Sequence, residues 1–105
     1  MKYNKDIDYR LVIEAVAEEL QNNDKYIVDD VEVSGTEYDN DLKLTAKLTV
    51  GDYVFNLKAR YIIDKPDIDI QVTISYSSRT DYDLTESDVR DIHDITVYVK
   101  KLMKL

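Results

Sequence analysis

The chain has 105 residues, enough for one hydrophobic core, and 44% of them are hydrophobic, as in ordinary folded domains. Its 22 acidic and 14 basic residues give a net charge of −8, which repels nucleic acid and anionic lipid. It has no cysteine, which excludes disulfides, zinc–thiolate sites and thiol nucleophiles. We therefore expect a single cytoplasmic domain over residues 1–105, without a signal peptide, a membrane segment or a direct nucleic-acid partner.

The first predicted element is an amphipathic helix over about residues 7–22. Apolar side chains recur at helical spacing on one face: Tyr9, Val12, Ile13, Val16 and Leu20. Asp6 or Asp8 is placed to cap its start, and the polar run 22–24 marks its end.

Four segments in which apolar and polar residues alternate come next. They predict strands over about residues 27–37, 42–50, 53–63 and 68–77, each with one buried and one solvent-facing side. The links are short and rich in turn residues, and Gly51-Asp52 is typical of a two-residue hairpin of the primed type. Short links join antiparallel neighbours, so the predicted strand order is 1-2-3-4.

The last predicted element is a helix over about residues 85–104. The segment 85–88 resembles a capping box, with Leu84 and Val89 placed as a hydrophobic staple. The apolar stripe of this helix comprises Val89, Ile92, Val99 and Met103, broadened by Ile95 and Leu102. The β-branched run 95–99 also fits a strand, but acids before it and lysines after it favour a helix.

These elements predict an α+β fold in two layers, in the order αββββα. Four strands spaced at about 4.8 Å form a layer about as wide as two packed helices. We expect both helices on the apolar face of an antiparallel meander, which leaves the other face of the sheet open.

No residue pattern in the chain predicts catalysis. The single histidine, His93, lies within the second helix, and no serine motif accompanies it. Paired carboxylates such as Asp81 and Asp83 fall in predicted turns, where water keeps them ionised. The segment 81–92 resembles an EF-hand loop but lacks its glycine and its final glutamate. We therefore expect a non-enzymatic protein with no cofactor and no metal.

The open sheet face is predicted to carry a basic group comprising Lys43, Lys47, Lys58 and Arg60. Tight hairpins would place Glu32 opposite Lys47, Thr45 opposite Lys58, and Lys43 opposite Arg60. The aromatic residues of the strands have inward parity, which argues against a face on which nucleic-acid bases stack. This face is either simply solvated or a contact with a partner or second copy, so both monomer and homodimer remain open.

Acidic residues concentrate in the predicted turns and at the start of the second helix. Fixed carboxylates there can imitate DNA phosphates and dock on a basic protein surface. The candidate partner-binding residues are Asp39, Asp41, Asp81, Asp83 and Glu86, with Tyr38 and Tyr82 as aromatic anchors.

In size, acidity and mixed α/β content the chain resembles small proteins encoded by phages and mobile elements, such as anti-CRISPR and anti-restriction proteins. Its richness in residues with AT-rich codons also suggests a low-GC bacterium or its phage. The resemblance implies an inhibitor that mimics DNA in a nucleic-acid-binding defence enzyme. Two alternatives remain: a structural domain that self-associates through the open sheet face, and an immunity protein or antitoxin that neutralises a basic toxin.

Overall fold

The computed structural model describes residues 1–36, 41–50, 53–76 and 86–104. Its elements are α1 (Tyr9–Gln21), β1 (Ile27–Ser34), β2 (Asp41–Val50), β3 (Tyr53–Asp64), β4 (Asp67–Tyr76) and α2 (Glu86–Met103). The strands form one antiparallel sheet in the order β1-β2-β3-β4. Side chains of both helices join one core cluster with the inward side chains of the sheet. The predicted αββββα fold is confirmed.

The start of α1 is fixed by its cap residue, Asp8. The Asp8 carboxylate accepts hydrogen bonds from the backbone N–H groups of Arg10 and Leu11, which have no partner within the helix. Of the two predicted caps, Asp8 is therefore the one used. The buried face of α1 comprises Tyr9, Ile13, Val16, Ala17 and Leu20.

The two central strands supply most of the core. Alternate residues of β2 and β3 point inward and are almost fully buried, among them Leu42, Leu44, Leu48, Phe55, Leu57 and Tyr61. Burial of each large apolar side chain contributes about 1.5–3 kcal/mol, so this alternation fixes the register of the sheet. Val50 pairs with Tyr53, whereas the predicted turn type of Gly51-Asp52 lies outside the described residues.

A β-bulge in β1 changes its predicted pairing with β2. Asp29 pairs with Lys47 and Glu32 with Thr45, so two residues of β1 lie opposite one residue of β2. Asp30 takes the left-handed backbone conformation, with φ of 52°. The predicted pair of Glu32 with Lys47 is wrong, because Glu32 lies on the hairpin side of the bulge, where Ser34 pairs with Lys43 and the register differs from the predicted one by two residues.

The second helix packs through its later turns. Ile95, Val99 and Met103 are buried, whereas Val89 is 53% exposed, so its predicted place in the core stripe is wrong. Helical periodicity puts Val89 near the apolar stripe, but the first turns of α2 do not lie on the core. The predicted staple partner Leu84 lies outside the described residues. Neither helix in the described part of the chain is long and apolar enough to cross a membrane.

Tyrosines join both helices to the sheet at the end of the molecule where α1 begins. The Tyr61 hydroxyl donates a hydrogen bond of 2.5 Å to the Met103 carbonyl oxygen, and its ring meets that of Tyr9 edge-on at 5.3 Å. Tyr3 stacks on Tyr9 at 5.5 Å. Burial of Tyr61 raises the pKa of its hydroxyl, and the neighbouring Tyr9 raises it further. This cluster orients the two helices over the sheet.

Candidate functional site

The predicted acidic site is described only in part. Asp39, Asp81, Asp83, Tyr38 and Tyr82 lie outside the described residues. Of the remaining two, Glu86 is exposed at the first residue of α2. Asp41 begins β2, and its carboxylate accepts a hydrogen bond of 3.0 Å from Arg60 Nε, so it belongs to the sheet face.

The predicted basic group does lie together on the open face of the sheet. Thr45 pairs with Lys58 and Lys43 with Arg60, as predicted. Asp30 lies 3.4 Å from Lys47 Nζ, and Asp41 neutralises Arg60. Lys43 and Lys58 form no ion pair with any described residue. Half of the predicted basic charge is thus matched within the molecule.

The rest of the open face is polar. A shallow depression of about 310 Å³ runs across its centre, lined by side chains that include Thr45, Asn56, Thr73 and Ser75. The apolar residues Val54 and Ile62 sit at opposite ends of β3, about 27 Å apart at the rise of an extended strand. A face with so little contiguous apolar area provides little driving force for a stable dimer.

The edge strand β1 carries a row of carboxylates, which we call the acidic edge: Asp29, Asp30 and Glu32. All three are exposed, and the bulge places Asp29 and Asp30 side by side on the surface. Only Asp30 pairs with a cation among the described residues, through Lys47. Ile27 begins the same strand and is 61% exposed. Charged and apolar contact groups are therefore adjacent on β1.

An open groove of about 300 Å³ lies on the helix side of the sheet, between the end of α1, the start of β1 and the middle of α2, and its lining includes Val28, the residue before Asp29. We call it the end groove; its lining residues are Leu20, Asn23, Lys25, Tyr26, Val28, Leu48, Asp94, Ile95 and Tyr98. Its floor is apolar, because Leu20, Leu48 and Ile95 are core residues. Tyr98 is 41% exposed and supplies an aromatic wall. The groove can accommodate an apolar or aromatic side chain of a partner.

The polar rim of the end groove contains opposite charges. Lys25 Nζ lies 5.4 Å from the centroid of the Tyr26 ring. A hydrogen bond with Tyr26, together with the negative charges of Asp91 and Asp94, raises the pKa of Lys25. Of these two acids, Asp94 lines the groove, and the Lys25 ammonium group partly balances its charge.

Among the described residues, the buried side chains that carry a polar group are those of Tyr9 and Tyr61, and no group of three or more His, Cys, Asp or Glu side chains could hold a metal ion. His93 is exposed on α2.

Sequence reasoning missed most of this arrangement. It assigned Leu20 and Ile95 to the core, but gave no reason to bring them together with Tyr26 at one groove. The sequence did contain one signal for the bulge in β1. The consecutive pair Asp29-Asp30 interrupts the alternation of apolar and polar residues in that strand.

Comparisons with protein-family models, with curated proteins and with solved structures find no match for this chain.

Proposed function

We propose that this chain is a non-enzymatic binding module that docks on a basic surface of a protein partner. The observation that carries the proposal is that one edge strand, β1, supplies both the acidic edge and, through Val28, part of the lining of the end groove. Carboxylates on β1 meet lysines and arginines of the partner, and the groove receives an apolar anchor. This combination matches the usual anatomy of an interface, with an apolar centre and a polar, charged rim.

The backbone supports such a role. Asp29, Asp30 and Glu32 lie on a hydrogen-bonded strand, so little backbone entropy is lost when they bind. Their span along the strand is about 10 Å, which suits several cations of one basic patch. The net charge of −8 speeds encounter with such a patch over a longer range.

In the narrower form of the proposal, the partner is a nucleic-acid-binding defence enzyme. The carboxylates then occupy its basic cleft in place of phosphates, and binding is driven by the same release of counterions. A duplex DNA substrate of that enzyme should compete with the chain for binding. Simultaneous binding of DNA and the chain would contradict the mimic while leaving the wider proposal intact.

The test is a capture experiment with charge-matched variants. Tagged wild-type chain is incubated with bacterial lysate beside the variant Asp29→Asn/Asp30→Asn/Glu32→Gln. The control, Asp6→Asn/Glu18→Gln/Glu19→Gln, removes the same charge from exposed positions outside the acidic edge. Quantitative mass spectrometry compares the captured proteins.

We expect the wild type and the control to capture the same basic proteins. The acidic-edge variant should capture about tenfold less of them, which corresponds to a loss of about 1.4 kcal/mol in binding free energy. A Tyr98→Ala variant should lose the same proteins, because the groove wall is removed. If the two charge variants retain the same proteins in equal amounts, the acidic edge is not the binding site.

A further inference from the structure

Among the residues that the structure describes, those that cover the edge of β4 lie only at its beginning. The Met1 amino group donates to the Ile68 carbonyl oxygen at 3.0 Å, and the Ile68 N–H donates to the Met1 carbonyl oxygen at 2.9 Å. Tyr3 N–H donates to the Pro66 carbonyl oxygen at 2.8 Å. The first residues of the chain thus form a short added strand along positions 66–68.

The direction of these bonds shows which backbone groups of β4 are available. Both polar groups of Ile68 point away from β3, and in an antiparallel ladder this direction recurs at every second residue. The same groups of residues 70, 72, 74 and 76 therefore point to the free edge. The Ile70 N–H is held by the Asp69 carboxylate at 3.0 Å, whereas Val72 and Ile74 have no edge partner among the described residues.

The two edges of the sheet differ in their resistance to strand addition. The β1 edge carries the bulge at Asp30 and the acidic edge, features that usually discourage a further strand. The segment 70–76 of β4 has the sequence IQVTISY, which contains no charge, no proline and no glycine. It is rich in β-branched residues, and its outward side chains Gln71, Thr73 and Ser75 are exposed or half-buried. Of the two sheet edges, that of β4 is the one that the described part of the chain leaves open to pairing.

We propose that a second copy of this chain pairs with it along β4, in antiparallel orientation, about a two-fold axis at Thr73. Because Met1 already bonds to the backbone of Ile68, the remaining edge-facing residues are 70, 72, 74 and 76, and their midpoint is residue 73. That register joins residue 72 of one copy to 74 of the other and continues the sheet across both molecules. At the outer pair the Ile70 carbonyl oxygen accepts from the N–H of residue 76 of the other copy, because the Ile70 N–H is already held by Asp69.

Charge favours a second copy at this edge. Two molecules of charge −8 repel each other, so they can associate closely only through an uncharged strip. In the proposed register Thr73 faces Thr73 of the second copy, and Gln71 faces its Ser75. No like charges meet within the paired segment, and the acidic edge and end groove stay at the far side of each sheet.

The first test is the mass in solution. Light scattering coupled to gel filtration should give twice the 12.3 kDa of one chain at micromolar to millimolar concentration. Thr73→Glu should give the single-chain mass, because two carboxylates would lie directly opposite at the axis. Within one molecule the new Glu faces Lys58, so the fold is preserved; circular dichroism checks this.

The second test fixes the register by cross-linking. The native chain has no cysteine, so Thr73→Cys introduces a single thiol. Facing residues of a non-hydrogen-bonded pair have Cα atoms about 4.5 Å apart, which suits a disulfide. Gln71→Cys is the matched control on the same strand and the same face of the sheet. In the proposed register residue 71 faces residue 75 of the second copy, so the two introduced thiols would lie four residues apart along the strands.

We expect Thr73→Cys to form covalent dimers at least about tenfold faster than Gln71→Cys under mild oxidation. A wild-type mass of one chain at all concentrations would overturn the proposal. So would a dimer that Thr73→Glu leaves intact, or equal cross-linking rates for the two cysteines.

Discussion

Asp8 and Asp6 both precede α1, but only Asp8 bonds to the first N–H groups of the helix. Asp8→Ala should therefore lower the free energy of unfolding by about 1 kcal/mol, because two N–H groups lose their acceptor. Asp6→Ala removes the same charge and should change stability by less than about half as much. Urea unfolding of both variants measures the difference, and equal losses would contradict the assigned cap.

Tyr61 makes the free energy of unfolding depend on pH in the alkaline range. Its pKa is raised in the folded state by burial, so the folded chain keeps a proton that the unfolded chain releases above about pH 10. Its stabilising contribution is complete below that pH and is lost as pH rises toward the folded pKa. Between these two pKa values, this one group should lower the free energy of unfolding by about 1.4 kcal/mol per pH unit.

Tyr61→Phe should remove this part of the alkaline dependence. At pH 7 the variant should also lose about 1 kcal/mol, because the Met103 carbonyl oxygen loses its donor. Tyr98→Phe is the control, since Tyr98 is 41% exposed. Urea unfolding at pH 7 and pH 11 compares the three chains. The assignment is wrong if Tyr98→Phe flattens the pH dependence as much as Tyr61→Phe does.

At the scale of elements, the β-bulge of β1 depends on the backbone of Asp30. A β-branched residue is strained at φ of 52°, whereas aspartate and asparagine tolerate this conformation. Asp30→Val should therefore be less stable than Asp29→Val by about 1–2 kcal/mol, although both remove one carboxylate from the same strand. Thermal unfolding measures the difference between the two variants. Equal midpoint temperatures would contradict the left-handed conformation assigned to Asp30 in the bulge.

The elements themselves could be predicted from the sequence because periodicity reports burial directly. Leu42 to Val50 alternate without interruption, and β2 follows that pattern through its whole length. Two features could not be read in this way. The bulge depends on the conformation of one residue, Asp30, and the exposure of Val89 depends on how far α2 extends beyond the sheet. Neither is encoded in a repeating pattern.

At the same scale, the sequence could suggest a candidate site but not its position. The excess of acids led to the prediction of a surface for basic partners, whereas the end groove arises only when α1, β1 and α2 converge. Arg60 and Asp41 were predicted to belong to separate surfaces, yet they pair because they lie diagonally across β2 and β3. Contacts between strands of this kind depend on register.

For the whole molecule, the polar character of the open sheet face predicts that a second copy does not pack over this face. Lys58 lies at its centre and forms no ion pair with a described residue. Lys58→Glu should therefore leave the mass in solution unchanged, whatever that mass is. A change of mass in light scattering would place a contact between copies on the open face, as one sequence-based alternative holds.

Docking of the molecule through the acidic edge is tested by the salt dependence of its binding to a partner obtained by capture. The logarithm of the wild-type association constant should fall steeply and linearly with the logarithm of salt concentration, because ion pairs release counterions. The acidic-edge variant should bind weakly with a much shallower slope, and the charge-matched control should follow the wild type. Equal slopes for all three chains would contradict docking through the acidic edge.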